Sequence, residues 1–193
     1  PTTRKPTSSR RPAERHPPPV SDDGRPLHVV VMGVSGCGKS TVAARAAAAL
    51  GWPFVEGDDA HPSTNVAAMR SGRALTDDDR WPRPNDLAAR TAGHDAAGRS
   101  RVLACSALRR PYRDVLRSGA GRALFVHLDG PPEVIRSRMA ERRGHFMPAS
   151  LLASQLAALE PLAPDENGLA LDLRHPPGEL VEQLVAHVSQ DKS

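Results

Sequence analysis

The apolar positions of the chain fall into short unbroken runs separated by stretches of helical periodicity. His28–Met32 reads HVVVM, a β-branched run followed at once by glycine, and predicts a buried strand. Lys39–Leu50 (KSTVAARAAAAL) is rich in strong helix formers and stops at Gly51, where a helix ends readily. Further strands are expected at residues 53–55, 101–105, 123–128 and 169–173, and helices at 65–70, 85–97, 110–117, 132–143 and 151–159. Thr76-x-x-Asp79 has the form of a capping box, but Pro82 and Pro84 place the start of the helix near residue 85. Leu180, Val181, Leu184, Val185 and Val188 make one apolar face of a closing helix. Strands that are apolar throughout and alternate with helices predict an α/β fold, a five-stranded parallel sheet covered on both faces.

The first 26 residues break this pattern. They hold seven of the 19 prolines and a single large aliphatic residue, Val20, so nothing there can bury a core and a disordered tail is expected. The folded domain is then residues 27–193, a length suited to one domain. The formal net charge is +4, of which the tail carries +3, so the basic balance does not imply a nucleic-acid partner. No apolar run approaches the roughly 20 residues that span a bilayer. The two cysteines, Cys37 and Cys105, exclude a disulfide scaffold and a four-cysteine zinc site and fit a reducing, cytoplasmic setting. Lysine occurs only at Lys5, Lys39 and Lys192, so the one lysine inside the domain asks for a reason.

Gly33-Val-Ser-Gly-Cys-Gly-Lys39-Ser40 supplies it. The segment fits G-x-x-x-x-G-K-[ST] at every position and stands between the predicted strand and the predicted helix. Gly33, Gly36 and Gly38 let backbone N–H groups wrap phosphate oxygens without Cβ clashes, and Ser35, Cys37 and Thr41 complete the cradle. The helix start adds partial positive charge, Lys39 reaches the β- and γ-phosphates, and the Ser40 hydroxyl is suited to Mg²⁺. A switch GTPase would need N-K-x-D for guanine, which is absent. A short chain with polar residues just after the second strand favours an ATP-dependent kinase of a small molecule.

Those residues are Glu56-Gly-Asp58-Asp59-Ala-His61-Pro62. Ligands of an open α/β sheet bind beyond the carboxyl ends of its strands. Asp58 there can orient a hydroxyl, accept its proton, hold a magnesium-bound water, or simply cap a helix. Arg80, Arg109 and Arg113 offer planar forks suited to a carboxylate. Ser106 and Tyr112 suit sugar hydroxyls. Arg136, Arg138, Arg142 and Arg143 cluster before Gly144-His145-Phe146 and are suited to a lid, about residues 138–150, that closes over ATP. Asp129, at the end of the fourth strand, stands where a magnesium-assisting aspartate or a helix-entry residue belongs.

Taken together, GVSGCGKST (33–41), EGDDAHP (56–62), NVAAMRSG (65–72), LTDDDRWP (75–82), CSALRRPYRD (105–114), RGHF (143–146) and LEPL (159–162) resemble the gluconokinase family in order and spacing, over residues 28–173. Ala68 and Pro82-Arg83-Pro84 depart from its usual pattern. The resemblance implies a shikimate-kinase-like P-loop fold with a helical insert over the substrate, ATP with Mg²⁺, phosphorylation of D-gluconate to 6-phospho-D-gluconate, and a cytoplasmic homodimer. It implies catalytic roles for Lys39, Asp58 and Arg138, nucleotide contacts from Arg138 and Arg142, gluconate contacts from Asp58, His61, Arg80, Ser106, Arg109 and Arg113, and a metal held by Ser40 and Asp58. The alternatives are a kinase for another small hydroxylated acid and a catalytically weak nucleotide-binding regulator. Cys37, beside a helix start and Lys39, is either a reactive thiol that nucleotide protects or a small filler of the loop.

Overall fold

The computed structural model describes residues 25–57, 82–141 and 149–190. The helix expected at 65–70, most of the expected insert and lid, and all but the last two residues of the expected tail lie outside them. The chain runs β1 (His28–Met32), α1 (Lys39–Leu50), β2 (Phe54–Glu56), α2 (Pro82–Ala96), β3 (Arg101–Ala104), α3 (Arg110–Ser118), β4 (Ala123–Asp129), α4 (Pro132–Glu141), α5 (Ala149–Ala158), β5 (Gly168–Asp172) and α6 (Pro177–Gln190). The five strands form one parallel sheet in the order β2-β3-β1-β4-β5, as expected of the α/β class. Among the described residues no helix is long and apolar enough to cross a membrane.

Side-chain parity along the strands sorts the core into two layers. Val29, Val31, Val102, Ala104, Leu124, Val126 and Leu128 face one side, where Val42, Ala43, Ala46, Ala47 and Leu50 of α1 meet Leu180, Leu184 and Val188 of α6. Val30, Met32, Leu103, Cys105 and Phe125 face the other, against Leu87 of α2 and Leu116 of α3. The small residues Ala43, Ala46 and Ala47 bring α1 close under the sheet centre, which seats its first residue, Lys39, at the carboxyl end of β1. Helix α2 starts at Pro82, earlier than expected, because a proline in the first turn lacks only an N–H that has no acceptor there anyway.

The amino ends of the strands carry a buried polar seam. His28 and Arg101 are paired in register on β1 and β3, and both are buried. His28 Nε2 lies 3.2 Å from Asp95 of α2. Arg101 donates to the Leu87 carbonyl at 3.0 Å and to the Thr91 hydroxyl. Burial pushes the His28 imidazole below its ordinary range, Arg101 and His94 push the same way, and Asp95 opposes them. Burial and the neighbouring Arg90 draw Arg101 down to about 10. His94 and His127 are lowered as well, chiefly by burial.

A histidine kept neutral in the fold takes up a proton on unfolding once the pH drops below its unfolded value, about 6.5. Stability contributed by neutral His28 is therefore full above that value and is lost on acidification. Melting temperature should fall by about 2–4 °C for each kcal/mol lost between pH 7.5 and 5.5. His28→Gln, which does not titrate, should flatten the slope in a thermal-denaturation series; His94 and His127 keep part of it. An unchanged slope would assign the acid sensitivity to other groups.

Candidate active site

The loop from Gly33 to Gly38 passes over the carboxyl end of β1, the central strand. The Gly33 amide donates to the Ser106 carbonyl, 3.3 Å away, which ties the loop to the segment after β3. Gly36 has a φ of 83°, and a Cβ there would stand 2.3 Å from Met139 Cγ of α4, so conformation and space both require glycine. Gly38, at φ 99°, is the N-cap of α1. The first amides of α1 have no acceptor within the helix and point their partial positive charge out of its start. Lys39 is buried, and its Nζ donates to the Val34 carbonyl at 3.0 Å. The Ser35 amide donates to Gln155 Oε1 of α5 at 2.6 Å. Ser40 and Thr41, both half-buried, fill the rest of the first turn.

Arg138 of α4 lies over the same loop. Its Nη1 reaches the Cys37 carbonyl at 3.5 Å, and its Nη2 donates to the carbonyls of Leu173, at 2.5 Å, and His175, at 3.3 Å. The guanidinium thus bridges the phosphate loop and the turn after β5. Cys37 is a core residue of the loop. Its side chain is 0 % exposed and packs in the α1 layer of the core, with Sγ 3.0 Å from where a Cβ on Gly33 would stand. A helix start activates a thiol only if a reagent can reach it.

On the substrate side, β2 ends at Glu56, and the Gly57 amide donates to the Ala104 carbonyl at 2.7 Å. Asp58, His61 and Arg80 lie outside the described residues, as does Arg142. Arg109, 40 % exposed, precedes α3, and its Nε stands 3.9 Å from Glu160 Oε1. Ser106 is half-buried and Tyr112 buried. Asp129 is exposed, and its Oδ1 accepts from the Gly130 amide at 2.9 Å. Among the described residues no three His, Cys, Asp or Glu side chains gather to hold a metal.

Arg113 overturns its expected role. Its side chain is 1 % exposed and bound to Glu166 through Nε (2.6 Å) and Nη2 (2.8 Å). Nη1 donates to the carbonyls of Ala107, Leu108 and Glu160, and Nη2 also to Pro161. With every donor engaged inside the protein, no fork remains for a substrate carboxylate. Arg113 holds Glu166 below the usual carboxylate range, the Ala163 amide (2.9 Å) adding to the effect. The same cation steadies Ala107, which sits at φ 43°, a left-handed conformation that costs alanine roughly 1 kcal/mol or more.

Sequence reasoning missed Glu166 and Gln155. Glu166 carries no local signal, since its partner lies 53 positions earlier. Gln155 does carry one. Leu152, Leu156 and Leu159 stand at helical spacing on the face that packs against the core, and Gln155 is the polar residue on that stripe.

The AAA domain family matches residues 29–162. A gluconokinase of Gluconobacter oxydans is 45 % identical over 163 residues, covering 84 % of this chain and 92 % of the relative. The crystal structure of a sugar kinase from Janibacter sp. HTCC2649 superposes with a TM-score of 0.81 at 53 % identity, over 85 % of this chain and 95 % of its own. That of a gluconokinase from Sinorhizobium meliloti 1021 gives 0.79 at 44 % identity, over 86 % and 94 %.

Breaking a buried ion pair from one side costs about 3–5 kcal/mol. Glu166→Gln should therefore lower the melting temperature by about 10 °C. A substrate ligand would instead raise KM with the melting point unmoved, and that result would return Arg113 to the binding site. Iodoacetamide should leave the folded protein unlabelled at Cys37, as read by peptide mass spectrometry. Rapid labelling that nucleotide prevents would restore the reactive thiol.

Proposed function

The chain belongs to the gluconokinase family, and from that premise we propose that it transfers the terminal phosphoryl group of ATP to D-gluconate, giving 6-phospho-D-gluconate. The observation that carries the reading is the phosphate loop itself, with Lys39 folded into it, Arg138 laid over it and Ser106 joined to its first glycine. Phosphoryl transfer needs positioning and charge neutralisation more than covalent chemistry from the protein. In this reading the loop amides and Lys39 hold the β- and γ-phosphates, and Arg138, with Arg142 beyond it, lies over the nucleotide.

Mg²⁺ fits the donor set. A hard cation takes oxygen ligands and completes its shell with phosphates and water, so one hydroxyl at Ser40, aided by Asp58, is a sufficient protein contribution. When bound, it neutralises charge on the phosphate oxygens. Asp58 orients the 6-hydroxyl of gluconate or accepts its proton. His61, Arg80, Ser106 and Arg109 surround the sugar acid, with an arginine on its carboxylate; Arg113 supports that wall from behind. A separate tail over residues 1–26 and a cytoplasmic homodimer belong to the same reading, and the family resemblance supports the latter; sedimentation at working concentration would find twice the chain mass.

A coupled ADP assay over gluconate, other sugar acids and nucleoside monophosphates tests the function. Turnover should be fastest with gluconate, and a flat response across the panel would overturn the assignment. Lys39→Met should lose about a hundredfold or more in kcat. Asp58→Asn should lose turnover strongly while nucleotide affinity stays within a few-fold. An unchanged rate in Asp58→Asn would move the proton acceptor elsewhere, with Asp59 next.

A further inference from the structure

Two of the contacts on the phosphate loop meet on a single peptide group. The carbonyl of Val34 accepts from Lys39 Nζ at 3.0 Å, and the amide of Ser35, the other half of the same peptide, donates to Gln155 Oε1 at 2.6 Å. A trans peptide is planar, with its C=O and N–H pointing in opposite directions. Lys39 and Gln155 therefore grip one rigid plate from its two sides. Rotating the plate breaks both bonds. Such a rotation turns ψ of Val34 and φ of Ser35, and the Cys37 amide, 3.4 Å from the Val34 carbonyl, is a third and longer tie on the plate. Of the three ties only the one to Gln155 comes from outside residues 34–39.

Gln155 is built to hold the plate. Because Ser35 N–H is a donor, the amide oxygen of Gln155 must face it, which settles the orientation of the side chain. Helix α5 is fixed beneath it: Leu152 is buried, and Leu156 and Leu159 pack against the core. Immediately beyond α5 the Glu160 amide donates to the Leu108 carbonyl at 2.8 Å, and Arg113 binds the carbonyls of Glu160 and Pro161. Gln155 is thus anchored independently of the loop that it holds.

We infer that Gln155 is a positioning residue for phosphoryl transfer, acting through the Val34–Ser35 peptide to aim the ammonium of Lys39. The inference rests on the reading of this loop as the ATP site. It makes α5, which follows the segment at 142–148, part of the nucleotide machinery, although Gln155 lies 120 positions from Ser35. Without the glutamine oxygen the peptide rotates, the Val34 carbonyl leaves Lys39, and the ammonium no longer tracks the terminal phosphate. ADP keeps the β-phosphate contact of Lys39 and lacks only the terminal one, so it should lose less affinity than ATP.

The test is a double-mutant cycle on the full chain with Gln155→Met and Lys39→Met, read by calorimetric binding of ADP and of a non-hydrolysable ATP analogue. Gln155→Met should weaken the analogue about fivefold to tenfold, change ADP affinity less than about twofold, and lower kcat about tenfold. In the Lys39→Met background the same change should cost the analogue less than about twofold, because there is no ammonium left to aim. Equal losses for the two nucleotides, or an undiminished effect without Lys39, would overturn the inference. Amide exchange at Ser35 in the wild-type protein reads the bond with no substitution at all: slow exchange without nucleotide supports it, and exchange at the rate of an open loop defeats it. These binding measurements do not involve gluconate. A wild-type chain that binds ATP and ignores gluconate would remove the proposed activity and leave the Gln155 result to be judged alone.

Discussion

A guanidinium has five N–H donors in one rigid plane, and burying it is tolerable only where all of them find acceptors. Arg113 satisfies that condition by drawing three parts of the chain around itself: the loop after β3 through Ala107 and Leu108, the segment after α5 through Glu160 and Pro161, and the turn before β5 through Glu166. The upper rim of the sheet depends on this. Ala107 is held in a conformation that it would not choose, Ser106 keeps its carbonyl under Gly33, and α5 is pinned at the height where Gln155 meets Ser35. The Arg113–Glu166 pair thus braces the segments that support the loop at 33–38.

The cradle is assembled from residues far apart in the chain. Its glycines and Lys39 come from one short segment, but Arg138 arrives on α4, Gln155 on α5 and the supporting Ser106 carbonyl from the end of β3. The contact between Met139 and Gly36 shows how closely α4 is laid on the loop. Each support enters from a different element, and all of them meet above the central strand, where a parallel sheet gathers its carboxyl ends.

What could be read in advance was what repeats or what is local. β1 and α1 have the bounds that their composition predicted, because an apolar β-branched run and an alanine-rich helix closed by Gly51 each carry their own signal. The loop between them was legible for the same reason. Arg113 was not. An arginine inside a conserved-looking motif offers the same fork to a substrate or to an internal carboxylate, and its partner stands on a distant turn. Cys37 left two readings open because a loop has no periodicity to say which way a side chain faces. Gln155 could have been noticed as a polar residue on an apolar stripe, but its acceptor duty depends on a backbone amide that only the folded chain brings near.

The strand order has a consequence for how the protein is made. Among the described strands β1 is made before the others and is the most enclosed, with all five residues buried, yet it is flanked by β3 and β4 and not by β2. At about 5–20 residues per second, several seconds pass on the ribosome between HVVVM and the last residue of β4. Until β3 emerges, β1 and β2 alike lack their partner in the sheet, and the second flank of β1 stays open until β4 follows. The nascent chain therefore carries an adhesive segment that a later stretch of the same chain must cover. The phosphate-binding loop becomes a loop only once that late pairing is complete.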